Sequence, residues 1–300
     1  VTVAVVRLGA LGDVVLASAV TAAASEPVVF VTRPRWIEVA RRFRGVSRVV
    51  AWESAAQVVR DVGPARWVDL DAGTRTLALD IMTGSSRYRK QSVRRRLLAW
   101  WGIGPGRVPV IEGYGRAAGF GPAPLPWLDV PRLSPSSLLL LPGAAFAEKQ
   151  WSVAGFVAVG RRWGGPVDVC GGPGEEGLCG AIAAEIPGAR AWSGAGFGPV
   201  FDAIGRARAA IGADSGLTHL AAAAGVPTVV TFGPTSPLDG FFPHAVAVER
   251  ELACRPCALH RVDGCARGDL ACQDLAPQQV FSALEQALRG ATGAASCTGS

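Results

Sequence analysis

Gly212-Ala-Asp-Ser-Gly-Leu-Thr-His-Leu-Ala-Ala-Ala-Ala-Gly-Val-Pro-Thr-Val-Val-Thr-Phe-Gly-Pro-Thr235 reads as a strand end, a tight polar turn, a helix of small residues and a second strand. The turn sets Asp214, Ser215 and Gly216 at the helix start. A helix start offers unpaired backbone N–H groups and a partial positive charge, which suit a phosphate group. The N–H groups of Ser215, Gly216 and Leu217 would cradle it, and the Ser215 hydroxyl would either cap the helix or touch the phosphate. His219, on the first turn, reads either as a supporting group or as a core histidine.

The same alternation runs outward on both sides. Val3–Val6 is a buried-strand run, followed by the loop Arg7-Leu-Gly-Ala-Leu-Gly12, then Asp13 and an apolar helix over 14–24. Strands are expected at 28–32, 46–50 and 67–70, with a helix at 35–43. Residues 119–137 are rich in Pro, Gly and Ser and form the best linker. A second half then opens like the first. Leu138–Leu141 is a strand, followed by the loop Pro142–Lys149, a helix over 153–163 and a strand over 167–170. Gly171-Gly-Pro-Gly174 and a helix over 175–185 come next. Residues 278–288 form an amphipathic helix with Val280, Phe281, Leu284 and Leu288 on one stripe, and 290–300 read as a disordered tail. Strands alternating with helices imply parallel βαβ units. The expected organisation is α/β: two Rossmann-like domains, 1–130 and 131–300, facing each other across a cleft, because ligands of such sheets bind at the carboxyl ends of the strands.

Composition narrows the class. The chain is 49% hydrophobic with a formal net charge of +6, yet no apolar run approaches the 18 residues of a spanning helix. The first residues lack the pattern of a signal peptide, so the cytoplasm is expected. Lys90 and Lys149 are the only lysines, so the positive balance is carried by arginine and suits an anionic partner. Arg87, Arg89, Lys90, Arg94, Arg95 and Arg96 crowd six cations into ten residues, with Trp100-Trp101 just after. They read as a solvated helix face, as a site for a phosphorylated or acidic-sugar acceptor, or as a contact with the anionic inner face of a membrane. No nucleic-acid recognition module accompanies them, so no nucleic-acid partner is expected.

Gly9 and Gly12 allow positive φ and close backbone approach, but their spacing misses the dinucleotide pattern G-x-G-x-x-G. Arg7 reaches either an anionic acceptor or a neighbouring carboxylate. Glu175 or Glu176 would hold ribose hydroxyls, or complement a helix dipole. Seven cysteines are present, and Cys254, Cys257, Cys265 and Cys272 cluster. Four thiolates can close a structural zinc site; disulfides and free thiols are the alternatives.

Four blocks in order carry a resemblance. They are Val5-Val-Arg-Leu-Gly-Ala-Leu-Gly-Asp-Val-Val-Leu16, Leu141-Pro-Gly-Ala…Lys149-Gln-Trp151, Cys170-Gly-Gly-Pro-Gly-Glu175, and Ala213-Asp-Ser-Gly-Leu-Thr-His-Leu220 with Phe232-Gly-Pro-Thr-Ser-Pro237. Together, over roughly 3–288, they resemble glycosyltransferase family 9, the lipopolysaccharide heptosyltransferases. The resemblance implies a GT-B architecture and an inverting, metal-independent transfer of heptose from an ADP-sugar to a glycan or glycolipid acceptor. It assigns Asp13 as the general base, with helix capping as the alternative. It assigns Lys149 to the diphosphate leaving group, where a plain loop lysine would simply be solvated. Asp214 would contact the donor sugar. Gly143 and Ala144 would offer backbone N–H groups to the donor; relatives carry a small hydroxyl residue there, where this chain has Ala144-Ala145. The first domain would bind acceptor, through Arg7, Gly12 and the Arg87–Lys90 cations, and the second would bind donor. The alternatives are another nucleotide-sugar enzyme of the same architecture, or a non-catalytic nucleotide-sugar or glycan binder. The presence of both Asp13 and Lys149 argues against the latter.

Overall fold

The structure is a computed structural model that describes residues 1–90, 109–121, 125–194, 196–237, 245–258, 262 and 264–296. The described chain divides into two compact units, with Asp129 in the first and Val130 in the second.

The first unit is built on β1 (Val3–Val6), β2 (Val28–Thr32), β3 (Val46–Ala51), β4 (Arg66–Asp69) and β5 (Ser86–Arg87), all paired in parallel in the order β3-β2-β1-β4-β5. Every residue of β1 and β2 is buried, as expected of Val-rich strands covered on both faces. Ala4, Val6, Leu8, Val31, Val58, Trp67 and Leu79 form its core on one side. The helix Leu11–Ala23 begins three residues earlier than its apolar run suggests, with Ala10 at the N-cap position, so Asp13 lies within the first turn and is not the cap. The stretch 35–43 forms a short 3-10 turn, Pro34–Trp36, and one helical turn, Ile37–Ala40. Residues 77–83 form a helix, and Arg87 sits on an edge strand where the cation cluster suggested a helix face.

The second unit holds β6 (Ser137–Leu141), β7 (Val167–Gly171), β8 (Arg190–Ser193), β9 (Ala207–Ala213), β10 (Thr228–Phe232) and β11 (Ala245–Glu249). They too are parallel, in the order β11-β10-β9-β6-β7-β8. The helix Val153–Trp163 is capped by the Ser152 hydroxyl accepting from the Gly155 N–H, and it ends at the left-handed Gly164. Gly155 lacks a side chain where Trp151 lies across the helix. Trp151 packs edge-on against Phe156 and donates its indole N–H to the Leu275 carbonyl at 3.2 Å, so it belongs to the core. At the opposite end of β7 the buried Asp168 accepts from the Trp192 indole and pairs with Arg190 and Arg206. The last helix, Pro277–Ser296, lays Val280 and Leu284 on the core and continues to Ser296, past the start of the expected tail. Its final turns are rich in alanine, the residue that extends a helix at least cost.

Both sheets reverse strand order at one point: between β1 and β4 in the first unit, and between β6 and β9 in the second. The loops leaving those neighbouring strands diverge, and the crevice they leave is where open α/β sheets bind ligands.

Candidate functional site

In the first unit the reversal point is occupied by an ion-pair cluster. Arg7, at the end of β1, donates to Asp13 Oδ2 at 2.7 Å and to the Leu70 carbonyl at 2.9 Å, and it lies 3.5 Å from Asp71 Oδ1. Asp71 accepts in turn from the Leu8 N–H. The Arg7 side chain is 8% exposed and that of Asp13 24%, so the arginine is a buried anchor and the carboxylate is reachable. Burial alone would lower the Arg7 guanidinium; Tyr114, Asp13 and Asp71 outweigh it and hold the cation above its usual value. The buried Tyr114 ring lies under the guanidinium, 5.8 Å from its centroid. Arg7 is thereby committed to carboxylates, the second of the two readings its position allowed.

Gly9 is where the loop crosses this pair: a Cβ there would stand 2.9 Å from Arg7 Nη2 and 3.1 Å from Asp13 Oδ2. Neither Gly9 nor Gly12 has positive φ, so close approach, and not backbone conformation, is what Gly9 supplies. Asp69, fully buried on β4, shapes the neighbouring loop by accepting from the N–H groups of Asp71 and Ala72 and from the Thr76 hydroxyl.

Arg87 is also committed, 3.1 Å from Asp80 and 3.6 Å from Asp69, with a further bond to the Gly73 carbonyl. Arg89 and Lys90 are exposed. Arg94, Arg95, Arg96 and Trp100-Trp101 lie outside the described residues.

The second unit repeats the arrangement. Lys149, in the loop after β6, donates to Asp214 Oδ2, after β9, at 2.8 Å, with side-chain exposures of 10% and 15%. The Thr235 hydroxyl donates to the same carboxylate oxygen at 2.7 Å. Burial pushes the Asp214 carboxyl up, but Lys149, Thr235 and His219 together outweigh it and hold it below the usual carboxylate range. Asp214 therefore aims the Lys149 ammonium as directly as it could touch a sugar.

Ser215 occupies the N-cap position of the helix Gly216–Ala223 without capping it. Its hydroxyl bonds to that of Thr218 at 3.1 Å, and Thr218 donates to the Ala213 carbonyl. Since the only Thr218 proton goes to Ala213, Ser215 is the donor between the two hydroxyls. The first-turn N–H groups at Gly216 and Leu217 are thus left for an anion. Gly212 makes this possible, because a methyl group there would collide with the Thr218 side chain.

Glu175 and Glu176 separate clearly. Glu175 accepts from the Gly172 N–H at 2.7 Å and packs against Gly143, where any side chain would run into its carboxylate. The β6 and β7 loops therefore meet at that contact. Glu176 is exposed at the start of its own helix, where its own N–H and that of Gly174 in the preceding loop hold its carboxyl below the usual range. It takes the helix-dipole role, while Glu175 lines the loop that carries Gly143 and Ala144.

Cys254, Cys257, Cys265 and Cys272 are all free thiols. Among the described residues no three His, Cys, Asp or Glu are drawn together as a ready metal cage.

Several residues that build these clusters escaped the sequence reading: Asp71, Tyr114 and Thr235. Thr235 lies in the Gly-Pro-Thr block noted above. The others carry no local signal, since each acts on a partner far away in the chain.

Two doubly wound parallel sheets with this topology define a GT-B glycosyltransferase fold, and solved structures agree along the chain. The structure of E. coli ADP-heptose lps heptosyltransferase II matches with a TM-score of 0.73 at 17% identity, covering 97% of this chain and 99% of that one. The glycosyl transferase family 9 from Veillonella parvula matches with a TM-score of 0.73 at 18% identity, covering 96% and 97%. E. coli heptosyltransferase WaaC with ADP matches with a TM-score of 0.67 at 16% identity, covering 96% and 100%. No curated protein sequence matches significantly.

Residues 129–262 match the sequence model of Glycosyltransferase family 9 (heptosyltransferase). The matched stretch, just under half of the chain and mostly within the second unit, is similar to that family, and the solved structures share the fold. Among the described residues no helix is long and apolar enough to cross a membrane.

Proposed function

We propose that this protein transfers a heptose, with inversion, from an ADP-sugar to an anionic glycan or glycolipid acceptor. The observation that carries the reading is the Lys149–Asp214 pair at the reversal point of the second sheet, beside the open N–H groups of the helix Gly216–Ala223. A fixed ammonium and a helix start together neutralise a diphosphate, and the negative charge there grows as the sugar–phosphate bond breaks. Gly143 and Ala144 add backbone donors, and Glu175 holds ribose hydroxyls. In the first unit Asp13, held by Arg7, takes the proton of the acceptor hydroxyl as it attacks the anomeric carbon. The exposed Arg89 and Lys90 meet acceptor phosphates or the anionic inner face of the cytoplasmic membrane.

Thermal denaturation with ADP, UDP, GDP and NAD tests the donor. ADP at a hundredfold excess over Kd should add about 2.7 kcal/mol of stability. Stabilisation by UDP or GDP instead would favour a different nucleotide-sugar transferase, and by none of them a glycan binder. Release of ADP from ADP-heptose in the presence of acceptor then reads transfer.

Catalysis on this reading needs no metal. We propose a structural zinc on Cys254, Cys257, Cys265 and Cys272. What supports the reading is the chemistry of the donor set, four free thiols in one loop-rich segment; the described residues do not already gather three of them, so the metal would have to draw the segment together as it binds. The metal would tie the segment together and enter no step of transfer. Elemental analysis should find one zinc per chain, and a strong chelator should lower the thermal midpoint. Metal-free protein with unchanged stability, or disulfides in the native protein, would overturn this.

A further inference from the structure

The described residues of the segment from Glu249 to Leu275, which contains the four cysteines, bond from two directions to residues that flank the donor-side ion pair. Arg255, whose side chain is 6% exposed, spends its guanidinium on backbone carbonyls. It donates to the Gly233 carbonyl, to the Thr235 carbonyl at 2.8 Å and to the Arg250 carbonyl at 2.6 Å, and it pairs with Glu249 at 2.9 Å. The N–H groups of Cys257 and Ala258 both donate to the Pro234 carbonyl at 3.1 Å. Three successive carbonyls, those of Gly233, Pro234 and Thr235, are therefore held by this one segment. Thr235 is the residue whose hydroxyl fixes Asp214.

From the other side, Gln273 donates to the Glu148 carbonyl at 2.7 Å, one residue before Lys149. It does so across Gly233, where a Cβ would collide with the Gln273 amide and stand 3.1 Å from the Glu148 oxygen. The acceptor of the ion pair, through Thr235, and its donor, through the Glu148 peptide, are thus located by the same strap.

We propose that Arg255 and Gln273 are positioning residues for the Lys149–Asp214 pair. The Cys-rich strap then sets the affinity of the site for a nucleoside diphosphate without touching it. The diphosphate part of this proposal rests on the donor site described above; the positioning part does not. A displacement of an aligned charge by about 1 Å is enough to cost roughly a hundredfold in rate, so small movements of the strap matter.

The two-lysine composition supplies the test. Lysine carrying 13C at the ε carbon gives two side-chain resonances, from Lys90 and Lys149, and Lys90→Arg assigns them. Arg255→Gln and Gln273→Leu should each move the Lys149 resonance toward the position of the exposed lysine and leave that of Lys90 in place. Each should also raise the Kd for ADP about tenfold. Asp168→Asn, at the far end of β7, is the control for general destabilisation: it should lower the thermal midpoint without moving the Lys149 resonance. A Lys149 resonance that stays in place in both folded variants overturns the proposal. Failure of the unmodified protein to bind ADP would refute the donor reading instead, and the lysine resonance would still report on the strap.

Discussion

Asp13→Asn is expected to leave ADP binding unchanged and to lower transfer by roughly 10²–10⁴-fold, the contribution of a positioned general base. Asparagine has the shape of aspartate and can still accept from Arg7 Nη2, so the 2.7 Å contact and the first turn of the helix Leu11–Ala23 should survive. What disappears is the capacity to take the acceptor proton. The loss should therefore fall on kcat with little change in the KM for the donor, a pattern assigned to an interaction made only in the transition state. A variant with near-normal turnover would remove Asp13 from the mechanism. Arg7 then acts as an anchor: it is buried, bonded to the Leu70 carbonyl and to two carboxylates, and it leaves Asp13 a single direction to face.

Lys149→Met is expected to abolish ADP binding and to cost about 3–5 kcal/mol of stability at neutral pH, because it leaves the buried Asp214 without its counter-ion. The double variant Lys149→Met with Asp214→Asn should recover most of that stability and none of the binding, since no charge is then stranded. Acid provides a check of sign. In the native protein the Asp214 carboxyl is held below its usual value, so its contribution is present above the unfolded pKa and is lost as pH falls through the folded one. Removing Lys149 takes away the strongest influence that lowers the carboxyl and leaves burial opposed only by Thr235 and His219, so protonation becomes easier and the penalty should shrink as pH falls. Urea midpoints of both proteins at pH 7 and pH 4 measure this; a gap that widens at pH 4 would be the wrong sign.

The strands were largely legible because buried parallel strands are short apolar runs between glycine-bearing loops, and the helix Val153–Trp163 and the strand Val28–Thr32 match residue for residue. Asp13, Lys149 and Asp214 could be singled out because each lies in one of the four ordered blocks that carry the family resemblance, and the resemblance supplied their roles. Their partners could not. Arg7 meets Asp71 across 64 residues and Lys149 meets Asp214 across 65, and only the strand order brings them together. Arg87 illustrates the opposite error. Within a run of cations it suggested a surface for anions, but Asp69 and Asp80 claim it once β5 docks beside β4.

The two units carry the same wiring: a cation after the first strand of the sheet, and a carboxylate after the strand that docks beside it last in the chain. Neither contact can form while the chain between is still finding its place, because closing a loop of that length must precede it. Such contacts are expected to form after the barrier to folding, and would then govern how slowly the protein comes apart. The folding kinetics of Lys149→Met should show this directly, with the unfolding rate raised and the refolding rate nearly unchanged. The charges at the heart of each unit would then also set its lifetime.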